Sequence, residues 1–163
     1  MIWGLSTSTF TLVHVLLSLA GIFAGLVAMF GLVAGKRLNG STVVFLVTTV
    51  ATSVTGFGFP FDHLLPSHKV GILSLLVLPV AIAARYVFRL ADGWRRTYVI
   101  TAAVALYLNI FVLVVQLFLN VPALKALAPT QKEPPFAIAQ IAVLALFGWL
   151  AVLATRRFSR VLA

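Results

Sequence analysis

Two of the chain's three histidines stand in one short stretch, TGFGFPFDHLLPSHKVG (residues 55–71), beside Asp62. Imidazole and carboxylate suit zinc or copper, so His63, His68 and Asp62, with His14 from far upstream, make the candidate metal set. Their spacing, D-H-x4-H, matches no strong metal motif, and neither HExxH nor a glycine-rich phosphate loop occurs. Three histidines also allow at most one bis-histidine haem b. A second set offers different chemistry. His14, Thr52, Asn109, Gln116, Asn120 and Gln140 can exchange hydrogen bonds with the head of a lipophilic molecule, a quinone or a lipid, while Leu and Phe side chains hold its tail. No pattern decides whether a reaction is catalysed.

These groups must be carried by something, and composition says what. The chain has 163 residues, 62% of them hydrophobic and 9% charged, with a mean hydropathy of +1.13. Soluble domains have roughly 45–50% apolar and about 25% charged residues. So few charges could not cover a water-exposed surface. The chain reads as an all-α integral membrane protein, one transmembrane helical domain over residues 1–163. Cysteine is absent, which removes disulfides, thiolate nucleophiles and iron–sulfur clusters together. The start, MIWGLSTSTF, lacks the basic region of a secretory signal, so the first apolar run is expected to be a retained helix.

A span needs about 20 apolar residues. Five segments qualify, near 8–34, 42–60, 69–90, 97–120 and 135–156, which predicts a five-transmembrane-helix bundle. The net charge of +9 is read through position, not as a nucleic-acid signal. Lys36 and Arg37; Arg85, Arg89, Arg95 and Arg96; and Arg156, Arg157 and Arg160 follow the first, third and last segments. Basic flanks stay on the cytoplasmic side, so the N-terminus is expected outside and the C-terminus cytoplasmic. Arg85 and Arg89 are expected to snorkel to the inner headgroups. The bilayer is the expected surrounding, with a membrane-protein partner or a second copy as the other candidate contact.

Within the helices, spacing picks out faces. His14, Ser18, Gly21, Gly25 and Ala28 form one stripe whose small residues invite close helix approach. Tyr98, Ala102, Ala105, Asn109, Gln116 and Asn120 form another, expected to face protein because amides are expensive in lipid. The hydroxyls Thr48, Thr49, Thr52, Ser53 and Thr55 are expected to bond back to their own helix. Ser67 is the expected cap of the third segment and Pro79 its expected kink. A short helix is expected from Pro122 to Leu127. Counting 1.5 Å per residue puts His14 roughly 9 Å, Gln116 roughly 6 Å and Gln140 roughly 8 Å below the outer surface. The polar groups thus gather in one leaflet. A channel needs them through the whole thickness, and a transporter usually shows paired broken helices. An outward-facing polar pocket is the reading that remains, with a haem- or metal-binding membrane oxidoreductase or an accessory structural subunit of a membrane complex as the alternatives.

The stretches HVLLSLAGIFAGLVAMFGLVAGK, LLPSHKVG and YLNIFVLVVQLFLNVPALKALAPTQKEPPFAIAQ resemble a group of small, uncharacterised bacterial integral membrane proteins. The resemblance runs over nearly the whole chain and implies a bacterial inner (cytoplasmic) membrane location, multi-pass. It brings no activity and no site residues. A weaker similarity is to four-helix membrane cytochromes, two of whose four usual haem-ligand histidines have no counterpart here.

Overall fold

Ser6 begins the first helix: its Oγ accepts the Thr9 N–H at 3.1 Å, satisfying one of the free donors every helix start exposes. The helix α1 then runs Thr7–Val33. Gly35 ends it with φ +72°, a conformation only glycine adopts cheaply. The Gly35 N–H reaches Leu32 O at 3.1 Å and the Lys36 N–H reaches Gly31 O at 2.8 Å, which closes the end with paired bonds. In this computed structural model, residues 1–60 and 66–161 are described, without the side chains of 66 and 159–161. Asp62 and His63 lie outside the described residues.

The chain returns in α2 (Asn39–Gly56) and turns again into α3 (Pro66–Ile82), which continues as one π-turn, Ala83–Val87. Then come α4 (Trp94–Asn120), the short α5 (Pro122–Leu127) and α6 (Pro134–Val161). The expected short helix is present with the expected ends. Two local expectations need correction. Pro66 itself opens α3, as a residue with preset φ and no N–H can, so Ser67 is not its cap. α2 stops at Gly56, not at Pro60.

Among the described residues, four helices are long and apolar enough to cross a membrane: Thr7–Val33, Ser67–Val87, Trp94–Asn120 and Pro134–Phe158. The fifth expected span is not among them. α2 has only 18 residues, and its many Ser and Thr dilute its apolar content.

α4 lies at the centre, packed against α1, α3, α5 and α6. Its Tyr98, Val99, Ala102, Ala103, Ala105 and Leu106 are almost wholly buried. Among the described residues, the α1–α2 seam is the most extensive helix contact. A Cβ on Gly25 would lie 2.6 Å from Leu106 Cδ1 and 2.7 Å from Phe45 Cδ2, and one on Gly21 would lie 2.9 Å from Thr48 Oγ1. The expected stripe on α1 therefore faces the bundle. From Gly31 against Leu38, through Gly25 against Phe45 and Gly21 against Thr48, the contacts continue to His14 against Thr55 and Phe10 against Phe59. Each step along α1 is matched to within one residue by a step back along residues 38–59, so the register is fixed over the whole seam.

This packing predicts opposite outcomes at two glycines. Gly25→Val must push on Leu106 and Phe45, both buried, and should cost about 1–3 kcal/mol by overpacking. Gly148, in α6, has nothing among the described residues within 4 Å of an added Cβ, so Gly148→Ala should gain up to about 1 kcal/mol from helix propensity. Unfolding in mixed micelles measures both; equal effects of the two substitutions would contradict the close seam.

Candidate functional site

His14 is half-buried on α1 and faces α2. Its Nδ1 lies 2.8 Å from Thr55 Oγ1. The Thr55 hydroxyl donates its one proton to Ala51 O at 2.7 Å, shared with Thr52 O at 3.2 Å. With that proton on Ala51 O, Thr55 accepts from His14 and Nδ1 carries the hydrogen. In the neutral ring Nε2 then keeps its lone pair. No described residue hydrogen-bonds to it. Beside the ring stand Phe59, edge-on with centroids 5.2 Å apart, then Phe10 and Trp3 in a chain of edge contacts.

One turn before Thr55, Thr52 presents a buried Oγ1 with no hydrogen-bond partner among the described residues. One further turn down, Asn109 Nδ2 donates to Thr49 Oγ1 at 3.1 Å, a buried bond between α4 and α2. The other hydroxyls of α2 follow expectation: Thr48 donates to Val44 O at 2.6 Å and Ser53 to Thr49 O at 2.8 Å.

The remaining candidates separate. Gln116 and Asn120 are exposed and hold each other, with Asn120 Nδ2 donating to Gln116 Oε1 at 3.1 Å and to Gln116 O at 2.9 Å. The expected stripe on α4 is thus buried only from Tyr98 to Asn109. Beyond that point α4 is covered on another side, by α5 and α6, where Phe118 meets Phe136 edge-on at 5.3 Å. Gln140 lies there: its Nε2 donates to Phe111 O at 3.2 Å, and its Oε1 is buried without a partner among the described residues. Gln131, one α4 turn away, donates to Val115 O at 3.0 Å.

His68, left just ahead of the expected third segment, lies within α3. It is 4% exposed on the first turn of α3 and stacks on Phe57, centroids 5.5 Å apart. Phe57 also fills the space left by Gly71, which draws α2 against α3. Among the described residues no three His, Asp or Glu side chains gather as a metal site.

Sequence reasoning missed Arg85. Far from snorkelling, it is 7% exposed. Its Nη2 donates to Asn39 Oδ1 at 2.6 Å, and its guanidinium lies 5.0 Å from the centre of the buried Tyr98 ring. The spacing of Leu78, Ala81 and Arg85 is helical, and the first two are fully buried; that periodicity was the available signal. No family model, curated protein or solved structure matches the chain, in keeping with a resemblance that carries no activity.

Two measurements test these local bonds. Asn109→Leu should cost about 0.6 kcal/mol, and at most about 2, with Thr49→Val adding little once Asn109 is gone. Fully additive losses would mean the two side chains do not act as a pair. The second concerns Glu133, ahead of α6. Slight desolvation raises its carboxyl, but hydrogen bonds from Thr130 Oγ1 at 2.8 Å and from the Thr130 and Lys132 N–H groups outweigh this and hold it below the usual 4.5. A lowered folded value means the tie is complete above the ordinary carboxylate range and is lost as pH falls through the lowered one. The Thr130 and Lys132 amide shifts should therefore titrate below 4.5 and stay flat in Glu133→Gln. A midpoint above that value would remove the tie.

Proposed function

We propose that the protein is a five-span bundle of a bacterial inner membrane that binds a lipophilic molecule through a hydroxyl-bearing head, a quinol or a hydroxylated lipid, at His14. Support for the fifth span comes from how α2 distributes its residues. Its hydroxyls are buried or half-buried, while Val43, Val44, Val47 and Val54 are its exposed apolar residues. That outer face suits lipid, and 18 residues rise roughly 27 Å, close to the hydrocarbon thickness of about 30 Å. The basic clusters at one end favour that end as cytoplasmic, which turns His14 toward the outer leaflet.

The observation that carries the binding reading is the unshared Nε2 lone pair of His14. Fixed as an acceptor, it selects a donor, and the hydroxyl of a quinol fits where a quinone carbonyl would not. The ring wall of Phe59, Phe10 and Trp3 offers an apolar surface to the rest of the molecule. The unpartnered Thr52 Oγ1 gives the same face a second polar contact.

The same lone pair favours a second reading, since it is also what a haem iron or a zinc ion would take. One preparation separates the two. Organic extraction of protein purified in mild detergent should yield a quinol or lipid in near-stoichiometric amount. His14→Ala should lower it about tenfold, the equivalent of one lost hydrogen bond of about 1.4 kcal/mol. A Soret band or one equivalent of metal, lost in His14→Ala, would transfer the site to the second reading. Extracts that are the same in wild type and variant would remove His14 from any binding role.

A further inference from the structure

The basic end of the bundle holds a cavity of about 300 Å³ lined by Arg37, Asn39, Val43, Arg85, Tyr86 and Leu90. Two of these residues are cationic and none is acidic. The chain has only three acids, Asp62, Asp92 and Glu133, so an internal counter-charge is scarce. Arg85 is nine-tenths buried, yet its Nη1 has no hydrogen-bond partner among the described residues. Its other contacts are already in use: Nη2 on Asn39 Oδ1, and the planar face beside Tyr98 at 5.0 Å and Tyr86 at 5.8 Å. The Tyr98 hydroxyl lies beside Arg85 and Thr42 without reaching hydrogen-bond geometry to either.

The backbone is built around this placement. Ala83–Val87 is a π-turn, with Phe88 N–H bonded to Ala83 O at 2.9 Å, a local widening that often marks functional sites. Arg89 and Leu90 then adopt φ +50° and +61°, and the chain doubles back so that Leu90, 3% exposed, closes the floor of the cavity. A buried guanidinium with a free fork end, a second arginine at the mouth and an apolar wall is the chemistry that recognises phosphate.

We propose that this cavity binds the phosphate group of an anionic molecule, with Arg85 as the buried anchor, Arg37 as the outer contact, and Val43, Tyr86 and Leu90 against the attached carbon chain. The site is independent of His14, which lies at the other end of the bundle. The same phosphate chemistry is found in an anionic lipid headgroup and in free phosphate, and the test distinguishes them.

Native mass spectrometry of the detergent-purified protein, titrated with phosphatidylglycerol or with inorganic phosphate, reads the occupancy. Arg37→Gln and Arg85→Lys should each weaken binding about tenfold, the scale of one charge-assisted bond. Arg85→Lys keeps the charge but loses the planar fork. Lys125→Gln, on α5, should leave it unchanged. Lipid binding that inorganic phosphate does not displace assigns a headgroup site. Saturable phosphate binding with the same sensitivity to Arg37→Gln assigns a free phosphate. Arg37 is exposed, so its variant remains informative even if Arg85→Lys fails to fold. Binding of neither probe, or binding that Arg37→Gln and Lys125→Gln leave equally intact, would overturn the proposal. Either result leaves the His14 extraction experiment unaffected.

Discussion

The contact on which the His14–Thr55 and Asn109–Thr49 bonds depend is the approach of α1 to α2 at Gly21 and Gly25. With no Cβ at these two positions, the Phe45 ring and the Thr48 and Thr49 hydroxyls can lie against the α1 backbone. That depth sets the rest. It brings Thr49 under Asn109 of α4, and it sets the seam on which His14, two helical turns away, meets Thr55. Slipping the register by one residue rotates each α1 side chain by about 100° relative to α2. His14 would then leave Thr55, and the bond that orients its ring would go with it. In a medium where lipid is as apolar as the helices, such close packing and a few side-chain bonds are the available forces of association.

The polarity of α2 is the other side of the same arrangement. A helix with so many hydroxyls falls short of a plain hydropathy criterion, yet it does not display them. Thr42, Thr49 and Ser53 are buried, while Thr48, Ser53 and Thr55 give their protons to carbonyls of their own helix. Such a proton is spent locally, so the hydroxyl oxygen is left as an acceptor. This is why Thr55 can orient His14.

How much of this could be read beforehand follows from which features are periodic. The α1 stripe was legible because His14, Ser18, Gly21, Gly25 and Ala28 repeat with the helix, and the short helix after Pro122 because proline marks its start. The α4 stripe was legible only to Asn109. Gln116 and Asn120 keep the same phase, but two amides four residues apart can satisfy each other on an open face, and spacing does not distinguish that from burial. His68 looked like a loop residue because its burial depends on Phe57 and Gly71 closing two helices together. Arg85 had the phase of Leu78 and Ala81, but an arginine near a span end is so commonly a surface anchor that its phase was outweighed. The π-turn has no sequence signature of its own.

Arg85 also poses the sharper energetic question. A buried charge is stabilising only when its donors are satisfied, and an apolar residue of similar volume is often as good or better for stability. Here the ring of Tyr98 and the amide of Asn39 occupy one face and one nitrogen. Among the described residues nothing accepts from the two N–H groups of Nη1, and each buried donor left unmade costs about 1–3 kcal/mol. Leucine or methionine at this position would fill the space without that cost, and the small neighbours Ala81 and Ala84, both fully buried, would accept either. Fold stability alone therefore does not account for a guanidinium here. An anion reaching the free fork end would remove the penalty and turn the same residue from a defect in the packing into a recognition element. The two ends of the bundle then differ in kind: one presents the imidazole of His14, the other a cation held partly unsatisfied at Arg85.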